Sequence, residues 1–105
     1  MANRYKVIVT HECETSLHQS CAYIKNVLYA EVAANKLLDK FEELIELLET
    51  NPFTYQKVVR YEILEIEYRR AVINNYVVIY EIDEESKEVY LHKFFYGGSD
   101  YINKI

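Results

Sequence analysis

The stretch from Tyr68 to Tyr96, YRRAVINNYVVIYEIDEESKEVYLHKFFY, leaves little freedom in what this chain can become. β-Branched and aromatic residues fill it, and it is broken only at Asn74-Asn75 and in the polar segment 83–87, a pattern that predicts three consecutive antiparallel strands. Asn is one of the few residues besides Gly that tolerates φ > 0, which a two-residue hairpin turn demands. In the middle strand, the period of two puts Tyr76, Val78, Tyr80 and Ile82 on one face and Val77, Ile79, Glu81 and Asp83 on the other. One face is apolar throughout, and the other turns acidic toward the loop. A meander of this kind is not stable alone in water, so the first half of the chain must cover one side of it.

That half has the patterns a cover needs. Tyr5 to Thr10 alternates Tyr5, Val7 and Val9 against Lys6, Ile8 and Thr10, a short strand. A helix is predicted from about Glu12 to Tyr29, with Thr10 as N-cap, Glu12 and Glu14 at the positive end of the dipole, and Leu17, Cys21, Ile24 and Leu28 as its apolar stripe. A second helix, Glu31 to Glu49, repeats Ala34, Leu37, Leu38, Phe41, Leu44, Ile45 and Leu48 at three and four, and Asn51-Pro52 ends it. Its other side carries six acidic residues against two basic ones, most of the chain's net charge of -5. Segment 53–67 follows neither period and is expected to be a loop or a helical turn, then a short strand leading into Tyr68. Gly97-Gly98-Ser99-Asp100 reads as a turn before a tail. The fold class is thus α+β, in the order β-α-α-β-β-β, with a helix hairpin on one face of a twisted antiparallel sheet. At 105 residues it forms one domain.

Charge and composition exclude several classes of function. A net charge of -5 lacks the clustered Lys and Arg that strong direct nucleic-acid binding requires. No apolar run approaches the length of a membrane span, and the start MANRYKVIVT has no secretion signal, so a cytoplasmic protein is expected. Cys13 and Cys21 lie eight residues apart on the first helix, about 12 Å at its rise per residue, too far for a disulfide. His11-Glu12 opens like a zinc-protease helix, but Thr15 stands where the second His is needed. No metal site, phosphate loop or nucleophile elbow is indicated, and no cofactor is expected.

The residues with chemical potential lie in the sheet. Arg69 and Arg70 are neighbours on a strand and point to opposite faces. Each either pairs with nearby Glu65, Glu67 or Glu81, or holds a phosphate or a partner's carboxylate in its fork. Alternation along the last strand predicts Tyr90, His92, Phe94 and Tyr96 on one face, an aromatic patch that is either half core and half interface or a stacking platform. His92 is the only histidine on the sheet and the one candidate for acid-base work there.

With those elements placed, the chain resembles the RelE/ParE superfamily of toxins from bacterial type II toxin-antitoxin systems, over nearly its whole length. The likeness rests on YKVIVT, on the helix pair closing in LLETNP, and on YRRAVINNYVVIYEIDEESKEVYLHKFFYGGSDYINKI. That last stretch is similar to the family's Tyr-Arg, Asn-Tyr, Tyr-containing strand, polar turn and final Tyr-Gly-Arg-Arg-Asp-aromatic-Ile-Asn ending. The resemblance implies growth arrest by the toxin and neutralisation by a cognate antitoxin, which lays a helix or strand against the sheet and the hairpin.

The departures from the family pattern bear on mechanism. Members that cut mRNA on the ribosome carry Arg after the Tyr of the middle strand, where this chain has Val77, and Arg in the final turn, where it has Gly98-Ser99. Their loss removes charge that would stabilise a phosphoryl transition state. The resemblance therefore implies a ParE-like toxin that acts by binding protein, with DNA gyrase as its target and Arg69, Tyr90, Phe94, Asp100 and Tyr101 as contact residues. The alternatives are a ribosome-dependent mRNA interferase using Arg70, His92 and Tyr96, or a degenerate member that only binds antitoxin.

Overall fold

The computed structural model describes residues 4–58 and 67–97. β1 (Lys6–Val9) leads into α1 (His11–Asn26), α2 (Glu31–Thr50) and a two-residue β2 (Gln56–Lys57), followed by β3 (Tyr68–Ile73), β4 (Tyr76–Asp83) and β5 (Glu88–Tyr96). The expected helix hairpin on one face of a sheet is present. Two features were not legible: the sheet has five strands in the order β1-β5-β4-β3-β2, and it is mixed, because β1 runs parallel to β5. Two helices between β1 and the meander give the chain length enough to return to the sheet in the parallel sense.

Local chemistry sets most of the boundaries. Thr10 caps α1 as expected, its Oγ1 accepting from the Cys13 amide at 3.2 Å. At the other end, α1 stops at Asn26, earlier than its periodicity suggested, and Tyr29 turns the chain with φ 53°. Leu28 thus falls outside the helix and is exposed, while Cys13, one turn before Leu17, completes the buried stripe instead. Asn74 takes φ 52° in the hairpin that joins β3 to β4, where Ile73 faces Tyr76. Asp83 Oδ1 accepts from the amides of Glu85 and Ser86, folding the β4–β5 loop on itself; the Ser86 contact is the main reason its carboxyl sits below the usual range.

The main core lies between the hairpin and the sheet. Leu17 and Ile24 from α1, and Leu37, Phe41, Leu44 and Leu48 from α2, close on Ala71, Ile73, Val78, Tyr80, Val89, Leu91 and Phe94. Phe41 meets Phe94 edge-on at 5.9 Å between centroids. Tyr80 is fully buried and donates its hydroxyl to the Pro52 carbonyl at 2.7 Å, pinning the chain where it leaves α2. Arg69 does related work at the same place: it reaches the carbonyls of Phe53 and Tyr55, lies 5.1 Å from the Phe53 ring centroid, and pairs with Glu67 at 2.7 Å. On the opposite face, Val58, Val77 and Ile79 make a small second cluster, with Tyr68 and Phe95 against it.

Candidate functional site

β5 decides which predicted residues meet. Ile79 is opposite Lys93 but Tyr80 is opposite Leu91, so His92 is an extra residue, a bulge that shifts the phase of the strand. Tyr90, His92, Phe94 and Tyr96 therefore do not share a face, contrary to simple alternation. Tyr90 and His92 lie on the open side, whereas Phe94 is core, stacked on Tyr76 at 5.0 Å, and Tyr96 meets Tyr76 edge-on from the helix side. Nothing in the residue pattern of β5 marks the bulge.

On the open face, His92 Nε2 sits 2.8 Å from Glu81 Oε1 across the β4–β5 ladder. Its ring is stacked on Tyr90 and met edge-on by Tyr68 at 5.8 Å. The Tyr90 hydroxyl donates to Glu88, and that bond pushes its phenol above the usual value. Arg70 lies opposite Ile79, and so on this same face. Between these groups and the far end of the sheet, Val77 is packed into the second apolar cluster with only 5% of its surface exposed. At the near end, Glu67, Glu81, Asp83, Glu84 and Glu85 border a hollow of about 350 Å³. Lys93 is held by Glu12 at 2.7 Å.

The other candidates separate from this group. Arg69 projects to the helix side and is occupied by the contacts that brace segment 53–55. Burial alone would raise the Glu67 carboxyl, but the hydrogen bond and charge of Arg69, followed by those of Lys57, hold it below the usual range. Tyr96 borders a second hollow, about 620 Å³, between α1 and the end of β5. Arg70, His92 and Tyr96 thus do not converge. Asp100 and Tyr101, with Gly98 and Ser99, lie outside the described residues. Both thiols are free; burial, with a smaller push from Glu12 and Glu14, raises Cys13 to about 12 and leaves it inert near neutral pH. Among the described residues, no cluster of three His, Cys, Asp or Glu side chains could hold a metal, and no helix is long and apolar enough to cross a membrane.

A carboxylate that orients an imidazole can support proton transfer, but phosphoryl chemistry also needs cationic groups around the reacting phosphate. Here the imidazole stands beside an acidic rim and an apolar centre. Residues 7–101 match the family described as the ParE toxin of the type II toxin-antitoxin system parDE. The chain belongs to the ParE toxin family. Solved structures agree on the fold of this ParE-family chain. The chromosomal ParDE toxin-antitoxin system from P. aeruginosa superposes with a TM-score of 0.63 at 12% identity, over 90% of this chain and 97% of that one. An archaeal RelE-RelB complex from Pyrococcus horikoshii gives 0.57 at 20% identity, over 93% and 98%. The RelBE2 toxin-antitoxin complex from Mycobacterium tuberculosis gives 0.56 at 22%, over 89% and 91%. No curated protein sequence matches the chain.

Proposed function

We propose that this ParE-family chain is the toxin of a cytoplasmic toxin-antitoxin pair, that it acts by contact with a protein target, DNA gyrase, rather than by cutting RNA, and that a cognate antitoxin neutralises it. The observation that carries the contact reading is the state of the open face. Where mRNA-cutting relatives place an arginine, Val77 is sealed in an apolar cluster with Val58 and Ile79. Introducing phosphate next to Glu81, Asp83 and Glu88 would meet repulsion rather than stabilisation. Tyr68, Tyr90 and His92, partly exposed beside that buried cluster and edged by charge, offer a protein partner aromatic and polar contacts. Induced expression in a bacterial host tests this: growth arrest with a DNA-damage response, and loss of supercoiling by purified gyrase, are expected. Unimpaired growth would sink the reading in favour of a chain that only binds antitoxin.

A second reading, an mRNA interferase, draws on the pairing of His92 with Glu81 and on Arg70 sharing their face. It expects arrest with cuts in ribosome-bound mRNA, and loss of those cuts in Arg70→Ala. Cutting that survives this substitution would remove Arg70 from any such site.

A further inference from the structure

The exposed apolar side chains of this fold are gathered chiefly at one place. Of the nine large hydrophobic residues that stand exposed among the described residues, Tyr23, Val27, Leu28, Tyr29 and Val32 fall within ten positions, at the tip where α1 hands over to α2. The other four are scattered over α2, the loop after it, β3 and β5. Single exposed hydrophobics are ordinary, whereas a cluster of five marks a contact surface.

The tip is held in a defined shape. The amides of Val27 and Leu28 both donate to the Tyr23 carbonyl, at 2.9 and 3.2 Å, and the Ala30 amide donates to the Ile24 carbonyl at 3.0 Å. Ile24 belongs to the main core, which anchors the turn. Tyr29 turns the chain with φ 53° and has 89% of its surface in solvent. A left-handed backbone suits Gly or Asn, so a tyrosine is kept there at a cost that packing within the chain does not offset.

Charge selects what can cover this surface. The chain carries a net charge of -5, so two copies repel wherever acidic surfaces meet, above all along the outer side of α2. Residues 19–35 are the exception, because their only charged side chains are Lys25 and Glu31, which cancel. Both are exposed, and they reach each other loosely, at 3.7 Å. A strongly charged partner gains nothing from a tip without net charge. A second copy does, since a two-fold rotation sets each copy's Lys25 against the other's Glu31.

We propose that the hairpin tip is the contact surface of a symmetric homodimer, in which Tyr23, Val27, Leu28, Tyr29 and Val32 of two copies pack on one another and the Lys25 and Glu31 side chains cross between them. Five such side chains present on the order of 600 Å² per copy, so the dimer buries about 1,200 Å² in all, the lower end of specific interfaces. It is accordingly weak, with a dissociation constant on the order of 10 μM, and the dilute chain is monomeric. The hairpin covers the opposite side of the sheet from Glu81, His92 and Tyr90, so pairing leaves that open face free for a target.

Sedimentation of the full chain over a dilution series tests this. The wild type should pass from monomer to dimer between about 1 and 100 μM. Tyr29→Asn should raise that midpoint about tenfold or more with its circular dichroism unchanged. Lys25→Glu and Glu31→Lys should each stay monomeric alone, and an equimolar mixture of the two should dimerise, because both crossed contacts then join opposite charges. A wild-type chain that is still monomeric at about 500 μM would overturn the proposal. So would a dimer that Tyr29→Asn leaves untouched, which would place the contact elsewhere, or a mixture no more associated than its components. Loss of binding to the cognate antitoxin in Tyr29→Asn, with a wild-type chain that never dimerises, would give the tip to that partner and overturn it too.

Discussion

The two faces of the sheet share the strands β3 to β5 and differ in what holds them. Toward the helices, Val78 and Tyr80 join a core that draws on β1, both helices and β3 to β5. Toward the open side, among the described residues, Val77 and Ile79 join a smaller cluster with Val58, with Tyr68 and Phe95 at the margin. The covered face has a fold-level reason for nearly every side chain. The open face carries Glu81, His92 and Tyr90 in an arrangement that adds little to burial and leaves these groups available to a partner. Stability should therefore be concentrated on one side of β4 and activity on the other.

Deleting a ring from the covered face gives the largest expected effect. Phe41→Ala removes the partner of Phe94 and should cost about 3 to 5 kcal/mol in denaturant unfolding, enough to leave a domain of this size marginal. A loss below about 1 kcal/mol would mean that the hairpin does not pack as described. Adjacent valines make the sharper comparison, since they differ only in the face they occupy. Val78→Ala should cost about 2 kcal/mol and Val77→Ala about half that, because the smaller cluster can collapse on the gap. Equal losses would erase the distinction between the faces.

The hairpin tip breaks the comparison in a useful way, because it lies on the covered side yet serves no core. Tyr29→Asn should raise stability by about 1 kcal/mol, relieving the left-handed backbone without loss of packing. A drop in melting temperature would show that the ring supports the turn after all.

How far these differences were legible depends on which physical signal each residue leaves. Hydrophobic period placed α2, β3 and β4, and it assigned Val78 and Tyr80 to the face opposite Val77 and Ile79. The same rule failed in β5, because the bulge at His92 arises from fitting two strands together and leaves no trace in either one. It also overran α1: Leu28 continues the stripe numerically, but the turn at Tyr29 ends the helix first, and no residue there announces it as Gly would. Parallel pairing of β1 and the two residues of β2 depend on tertiary contacts alone. For the site, His92 was found by type and position, but its partner Glu81 is fixed by register, which single-strand patterns do not contain. Arg69 reads from the sequence either as a partner of a nearby Glu or as a ligand group, and its contacts with the Phe53 and Tyr55 carbonyls depend on tertiary placement that the sequence does not contain.

Arg69 and Glu67 supply the smallest effect, and its sign follows from the carboxyl. Glu67 titrates below its ordinary value of 4.5 in the folded chain, held down chiefly by Arg69 and then by Lys57 against the opposing push of burial. The unfolded chain therefore binds a proton there before the folded one does. The contribution of the pair is complete above about pH 4.5 and declines as pH falls through the lower, folded value. Because the Glu67 side chain is 36% exposed, solvent screens much of it, and the decline should be modest. Glu67→Gln should flatten that part of the pH-stability curve, while His92→Gln on the open face should leave it in place. Should Glu67→Gln leave the acid limb of the curve unaltered, Arg69 would owe its position to the Phe53 and Tyr55 carbonyls alone, and the ion pair would be a consequence of the brace rather than part of it.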